Sequence, residues 1–250
     1  STKNIMVLLQ FGFKSDLIYK LLNYLKNSFE NINSILYAIN MKPNDSIYGQ
    51  KINLFYGKDF ITEKICGLRF KISAKTFFQT NSTQAEKLFY LVRKFLEPNK
   101  NDILYDLYSG IGTIGQILSK DVKKVVGIDI VEDSINYANE NSKLNNLSNT
   151  KYFSGDMKDI FTHAFIRENG IPSVSIVNPP REGIDKKVIE KIIDIEPKKI
   201  VYVSCNSSTL ARDLFFFQKT YEISKLQTID MFPHTSHVEN IVLLKKLIDV

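Results

Sequence analysis

Lys199 to Asp213 reads KIVYVSCNSSTLARD. Ile200, Val201, Tyr202 and Val203 form an unbroken β-branched and aromatic run, the pattern of a buried strand. The run stops at Ser204-Cys205-Asn206, and Ser207 and Ser208 can then cap a helix that begins near Thr209. A thiol at the carboxyl end of a buried strand, just before a helix N-terminus, lies where open α/β sheets bind ligands. The positive end of the helix favours an anion there. A buried structural cysteine fits the same spacing, so the flanking segments have to decide between the two.

Upstream of this stretch, strands and helices alternate from Lys75 onward. A helix capped within Thr80-Asn81-Ser82-Thr83 runs to about Glu97 and is stopped by Pro98. The expected order is then strand 103–108, helix 113–119, strand 124–130 and helix 132–144. A strand near Tyr152, a short helix near Ile160, strand 173–177 and helix 186–195 follow. After Cys205 come helix 209–218 and two strands, 221–231 and 239–245. Alternation of this length predicts an α/β fold with a mostly parallel, doubly wound sheet. The last two strands lack a long helix between them, which predicts an antiparallel hairpin at one edge.

Residues 1–74 read differently, as a small α+β domain. Ile5 to Phe13 is an apolar strand, and Leu17, Ile18, Leu21, Leu22 and Leu25 give 16–29 a helical period. Ser34 to Ile39 is strand-like. Met41 to Gly49, with Pro43, Asn44 and Asp45, reads as a turn. Short strands follow around 52–56, 60–64 and 69–73. The expected division is therefore 1–74 and 75–250.

Composition narrows the function. The chain has 250 residues, 44% of them hydrophobic, enough for one large domain or two modest ones. No apolar run approaches the roughly 18–20 residues of a membrane span, and the start, STKNIMVLLQ, lacks a secretory signal's build. Cys66 and Cys205 are too few and too far apart for a disulfide framework or a cysteine-rich metal site, so a cytoplasmic setting is expected. Residues 1–74 hold ten Lys/Arg against five Asp/Glu, or +5 of the net +6. That suits a basic surface meeting a polyanion, although ordinary solvated lysines fit it too.

Four segments carry chemistry. Asp106-Leu-Tyr108-Ser-Gly110-Ile-Gly112-Thr-Ile-Gly115 follows the first strand of the sheet and opens a helix. Its glycines allow a sharp turn and close approach of a ligand. The G-x-G-x-x-G spacing, with Asp129 ending the next strand, keeps a nicotinamide enzyme in play. Asp106 inside the loop disfavours a pyrophosphate and suits the cationic amino-acid end of S-adenosylmethionine. Ser154-Gly155-Asp156 follows the third strand, where an acid can accept from an adenine amino group. Asn178-Pro179-Pro180-Arg181 follows the fourth, with two prolines stiffening the backbone. Phe232-Pro-His234-Thr-Ser-His237-Val-Glu239 invites a metal reading but lacks a third convincing ligand, so none is expected. A carboxylate opening a buried strand reads better as a general base beside Cys205.

Taken in order, these segments resemble the RNA uracil-C5 methyltransferase family, which includes tRNA and 23S rRNA 5-methyluridine enzymes. The resemblance rests on Phe77-Phe-Gln79-Thr-Asn81, the Asp106–Gly112 loop, Asn178-Pro-Pro-Arg181, Ser204-Cys205-Asn206 with Thr209-Leu-Ala-Arg-Asp213, and Pro233 to Glu239. It implies a Rossmann-like S-adenosylmethionine methyltransferase sheet. It implies Cys205 as nucleophile and Glu239 as base, with Gln79, Tyr108, Gly110, Gly112, Asp129, Asp156 and Asn178 lining the cofactor site. The expected activity is S-adenosylmethionine-dependent methylation of uracil C5 in a structured rRNA or tRNA through a covalent Cys205–C6 adduct. The small N-terminal domain is expected to contact the RNA, with no membrane and no obligate protein partner. Methylation of an exocyclic amine, and RNA binding with little turnover, are the alternatives.

The chain departs from the family at Asn178, where Asp is usual, and at Ser207, where Pro is usual. The N-terminal RNA-binding barrel and the iron–sulfur cysteines of some members have no counterpart here. The first residue is not Met, and a trimmed chain and a short member fit equally.

Overall fold

A computed structural model describes residues 2–43, 47, 49–236 and 238–247. His237, and Asn44 and Asp45 of the expected turn, lie outside the described residues. The chain divides into two compact units, Ser1–Phe77 and Phe78–Val250.

In the small unit, β1 (Ile5–Phe11), α1 (Leu17–Ser28) and β2 (Ile32–Ile39) form a βαβ crossover, with β1 and β2 paired in parallel. β3 (Ile52–Gly57) joins β2 antiparallel. Alternation puts Val7, Leu9, Phe11, Ile35, Tyr37 and Ile39 on the face that packs against Ile18, Leu22 and Leu25 of α1. β4 (Phe60–Ile65) and β5 (Leu68–Ser73) make a separate hairpin. Its two turn residues, Cys66 (φ 49°) and Gly67 (φ 82°), are both left-handed, as a two-residue turn matched to strand twist requires.

The large unit opens with α2 (Ser82–Leu96), then β6 (Ile103–Leu107), α3 (Thr113–Leu118), β7 (Lys124–Asp129), α4 (Glu132–Leu144) and β8 (Thr150–Ser154). It continues with α5 (Met157–Ile160), α6 (His163–Asn169), β9 (Val174–Val177), α7 (Lys186–Ile195), β10 (Lys199–Ser204), α8 (Ser207–Phe217), β11 (Tyr221–Ile229) and β12 (Glu239–Lys246). The strands form one seven-stranded sheet in the order β11-β12-β10-β9-β6-β7-β8. The strand order reverses between β6 and β9, so the doubly wound expectation holds. Tyr105, Leu107, Ile128, Tyr202, Val242 and Leu244 pack one face against α5 to α8. The alternate residues Leu104, Val125, Val201, Val203, Ile241 and Leu243 are buried on the other face, where α2, α3 and α4 lie. No helix among the described residues is long and apolar enough to cross a membrane.

Two expectations about helices change, while that of an antiparallel hairpin at one edge holds: β11 is outermost, and between it and β10 lies β12. Its run Ile241 to Leu244 is buried on both faces, as an interior strand needs, whereas β11 exposes most of its length. The helix after Cys205 begins at Ser207, and its cap is Asn206, whose side chain accepts from the Ser208 N–H at 3.1 Å. Helix α6 was not expected at all; Thr162 caps it by accepting from the Phe165 N–H.

The glycine spacing after β6 also has a reason inside the protein. Tyr152 of β8 lies across Gly112, Gly115 and Gly127, and its hydroxyl donates to the Gly112 carbonyl at 3.2 Å. A Cβ on Gly112, Gly115 or Gly127 would stand 2.6, 3.2 or 2.2 Å from that side chain. Gly112 also holds φ +77°. Two of the three loop glycines thus make room for a tyrosine about forty residues away; Gly110, with open space around it, is the exception. Gly127→Ala should therefore destabilise the large unit by roughly 1–3 kcal/mol through overpacking, read as a lower urea midpoint. Adding Tyr152→Leu should recover part of that loss.

Candidate active site

The strands that carry the site end together. Asp129 pairs with Ser154, Leu107 with both Ile128 and Val177, and Val177 with Tyr202. The chain therefore leaves the sheet at one level across five neighbouring strands. Tyr108, Gly110, Asp129, Asp156, Asn178 and Cys205 all fall at or just beyond that edge. Glu239 reaches it from the opposite direction, because β12 runs antiparallel. Ser204, the last residue of β10, stands opposite Asn240, so Cys205 and Glu239 each adjoin a residue of this pair. Gln79 is buried (9% exposed), two residues before Asn81, the α2 cap. Asn81 Nδ2 donates to the Met231 carbonyl and Gln84 Nε2 to that of Asp230, fixing the start of α2 to the loop that leads to Glu239.

Glu239 is 8% exposed. Burial pushes its carboxyl up to about 7, and the Arg181 guanidinium pulls the other way. An acid that titrates near neutrality suits a proton acceptor. Cys205 is half-buried and makes no disulfide.

The Cys205 and Arg181 loops are held as one piece. Asn206 Nδ2 and Thr209 Oγ1 both donate to the Arg181 carbonyl, at 2.9 and 3.1 Å. Arg212 Nη2 donates to the Glu182 carbonyl at 2.8 Å. Asp213 is fully buried; its Oδ2 accepts from the Ile184 N–H and the Tyr202 hydroxyl, each at 2.7 Å, and its Oδ1 from Arg212 Nε at 2.9 Å. Gly183 (φ +79°) must be glycine there, since a Cβ would lie 2.5 Å from Asp213 Oδ2. The segment Thr209-Leu-Ala-Arg-Asp213 is thus a clamp on the loop that follows Asn178-Pro-Pro.

At the other end of the row, Asp129 accepts from the Gly110 N–H at 2.8 Å and the Val131 N–H at 2.9 Å. Burial raises its pKa against the opposing pull of the backbone N–H groups of Val131, Gly110 and Ile130. Asp156 caps α5 by accepting from the Lys158 N–H. Tyr108 holds φ 61° and is half-buried against the core. Burial, with Asp185 next, lifts its hydroxyl to about 12. The Asn178 N–H donates to the Leu107 carbonyl. Asp106 does not line the loop as expected. It is 1% exposed and accepts from the Gly115 N–H at 2.9 Å, and burial lifts it to about 7. It supports the start of α3 from below the loop.

Sequence reasoning missed the roles of Asn206, Arg212, Asp213, Gly183 and Tyr152. The first three stood inside a quoted segment, but their partners lie 25–30 residues away, where no local pattern points.

Residues 17–247 match the tRNA (uracil-5-)-methyltransferase family. A protein of Bacteroides thetaiotaomicron named as an uncharacterized RNA methyltransferase is 43% identical over 249 residues, covering 98% of this chain and 55% of that protein. One of the same name from Porphyromonas gingivalis is 44% identical over 248 residues, covering 98% and 53%. The chain thus spans about half the length of the curated relatives it matches. Among solved structures, the tRNA (uracil-54, C5)-methyltransferase of Pyrococcus abyssi, in complex with S-adenosyl-L-homocysteine, is 33% identical with a TM-score of 0.78, over 96% of this chain and 56% of that one. The tRNA m1G37 methyltransferase of M. jannaschii, 16% identical with a TM-score of 0.64 over 98% of this chain and 74% of that one, shares the fold.

Asp213→Asn replaces an acceptor oxygen with a donor among three donors. It should lower unfolding free energy by roughly 1.5–3 kcal/mol, read from urea denaturation.

Proposed function

Because this chain belongs to the tRNA (uracil-5-)-methyltransferase family, we propose that it methylates C5 of a uracil in a structured RNA, with S-adenosylmethionine as donor. The observation that supports this reading is the antiparallel pairing of Ser204 with Asn240, which brings the end of β10, just before Cys205, to the start of β12, where the buried Glu239 lies. Methylation of an exocyclic amine leaves Cys205 and Glu239 without a role.

The residues at the strand ends fit the donor. Space is open around Gly110, and the carboxylates of Asp129 and Asp156 end successive strands where ribose hydroxyls and an adenine amino group need acceptors. Gln79, Tyr108, Gly112 and Asn178 complete the proposed set. When bound, the donor supplies an electrophilic methyl group on a sulfonium.

Uracil C5 is a poor nucleophile, and covalent catalysis divides the problem. The base leaves its stack to enter the site. Cys205 Sγ, as thiolate, bonds to C6, and the electron pair of the C5–C6 bond shifts to give an enolate with a nucleophilic C5. After C5 gains the methyl group, Glu239 takes its proton. The C5–H pair re-forms the C5–C6 bond and Cys205 leaves as thiolate. The clamp of Thr209, Arg212 and Asp213 holds the Asn178-Pro-Pro-Arg181 loop beside this pair while the RNA enters and leaves.

Wild-type protein incubated with 5-fluorouridine RNA and S-adenosylmethionine should form a denaturation-resistant species whose mass maps to Cys205, because fluorine cannot be removed as a proton. Cys205→Ala should form none and transfer no methyl. An active Cys205→Ala enzyme would sink the covalent reading. Mapping the methylated uridine in total RNA separates a tRNA from an rRNA target.

Glu239→Gln should trap ordinary uridine RNA on Cys205. With Glu239 near 7, resolution of the wild-type adduct should slow about tenfold per pH unit below that value and level off above it. A flat profile with an active Glu239→Gln enzyme would make Glu239 structural.

Asn178 keeps the size of the usual Asp and one acceptor oxygen but not its charge. The chain is expected to be active as it stands, with single-turnover methyl transfer little changed in Asn178→Asp. A gain of about 10- to 100-fold, the value of one charge-assisted hydrogen bond, would show instead that the missing charge limits the enzyme.

A further inference from the structure

The net charge of the chain is confined to the small unit. Residues 1–77 hold eleven Lys/Arg against five Asp/Glu, while residues 78–250 hold twenty-two of each. Within the small unit, the carboxyl ends of β1 and β2 open into a cleft of about 860 Å³. Tyr19, Tyr37, Lys14, Lys51, Asn53 and Asp16 line it.

The aromatic side of the cleft is pre-arranged. Tyr19 and Tyr37 stand edge to face with ring centroids 6.0 Å apart, and their hydroxyls are 3.1 Å from each other. Phe55 backs Tyr19 at 6.5 Å. Tyr19 remains 51% exposed, so the ring is braced by its neighbours yet open to a partner. Asn53 Nδ2 donates to the Tyr37 carbonyl, tying β3 to this wall. Lys14 and Lys51 are both exposed and form no ion pair among the described residues. Asp16 is the one acid in the lining, set against two lysines.

We propose that this cleft is a second RNA site, taking one unpaired nucleotide of the substrate with its base on Tyr19 and its flanking phosphates on Lys14 and Lys51. The inference rests on the reading of RNA as substrate. A braced, half-exposed ring flanked by free cations is what binds single strands: every base has a face to stack, and lysine meets the phosphates without reading sequence. The volume is that of a small-molecule pocket, sufficient for one nucleotide. No element of the proposed methyl-transfer chemistry uses these residues, so the cleft adds affinity and orientation to the reaction.

The test uses the whole chain and a fluorescein-labelled oligouridylate of about ten nucleotides, with binding read by anisotropy across a salt series. Lys14→Ala with Lys51→Ala should weaken binding and reduce the log–log salt slope by about 1.4, for two lost phosphate contacts on a single strand. Tyr19→Ala should weaken binding roughly tenfold with the slope unchanged, and Tyr19→Phe, which keeps the ring, should restore it. The surface pair Lys143→Ala with Lys219→Ala should change neither. If the Lys14/Lys51 variant keeps the wild-type slope, or Tyr19→Ala binds as wild type does, the cleft is not the site. Methyl transfer to cellular RNA, measured on the same proteins, separates the two readings. Methylation that persists with unchanged binding in the variants overturns the cleft alone. Binding that depends on Lys14, Lys51 and Tyr19 without any methyl transfer upholds the cleft and overturns the proposed reaction.

Discussion

Asp213 has no exposed surface, yet its carboxylate receives donors from three separate parts of the chain: the Ile184 N–H, the Tyr202 hydroxyl and the neighbouring Arg212. A carboxylate buried without such partners would cost several kcal/mol, so the fold that buries Asp213 has to bring all three. Meeting that demand sets the loop after Pro180 against α8 and against β10. The same contact carries Arg181 and Asn206 with it, because Asn206 and Thr209 both hold the Arg181 carbonyl. Position at the proposed nucleophile is therefore governed by a group that touches no substrate.

The acids along the sheet edge show a second constraint. Burial raises Asp106, Asp129 and Glu239 alike, but their surroundings divide their work. Asp106 spends an oxygen on Gly115 and is closed off. Asp129 spends both oxygens on the backbone and still reaches the edge. Glu239 is raised by burial, and the Arg181 guanidinium pulls it the other way. A cationic donor bound near Asp129 would repay part of its burial, since each raised acid favours a positive neighbour.

Local signals were legible and distant ones were not. The alternation of strands and helices, the order of the elements and the boundaries of α4 and α7 followed from periodicity and caps, which act within one turn or two. Cys205 and Glu239 stood out because one follows and the other opens an apolar run that reads as a buried strand. One error came from ranking local options wrongly: Asn206 outcompetes Ser207 and Ser208 as cap, and its amide also reaches Arg181. The packing of Tyr152 into three glycines was invisible, because two of those glycines also satisfy a ligand-binding spacing. One-dimensional spacing does not distinguish a glycine cleared for a ligand from one cleared for a side chain.

The position of β12 has a consequence for the order of assembly. Of the described strands it comes latest in sequence, yet it separates β10 from β11 and carries Glu239 at its start. During synthesis, β6 to β10 can pair as they emerge, while the gap beside β10 stays open until residues 239–246 clear the ribosome. Cys205 is therefore made, and set on its strand, before its proposed base exists. Completion of the sheet waits on β12, and a chain cut before Glu239 would lack both that strand and the proposed base.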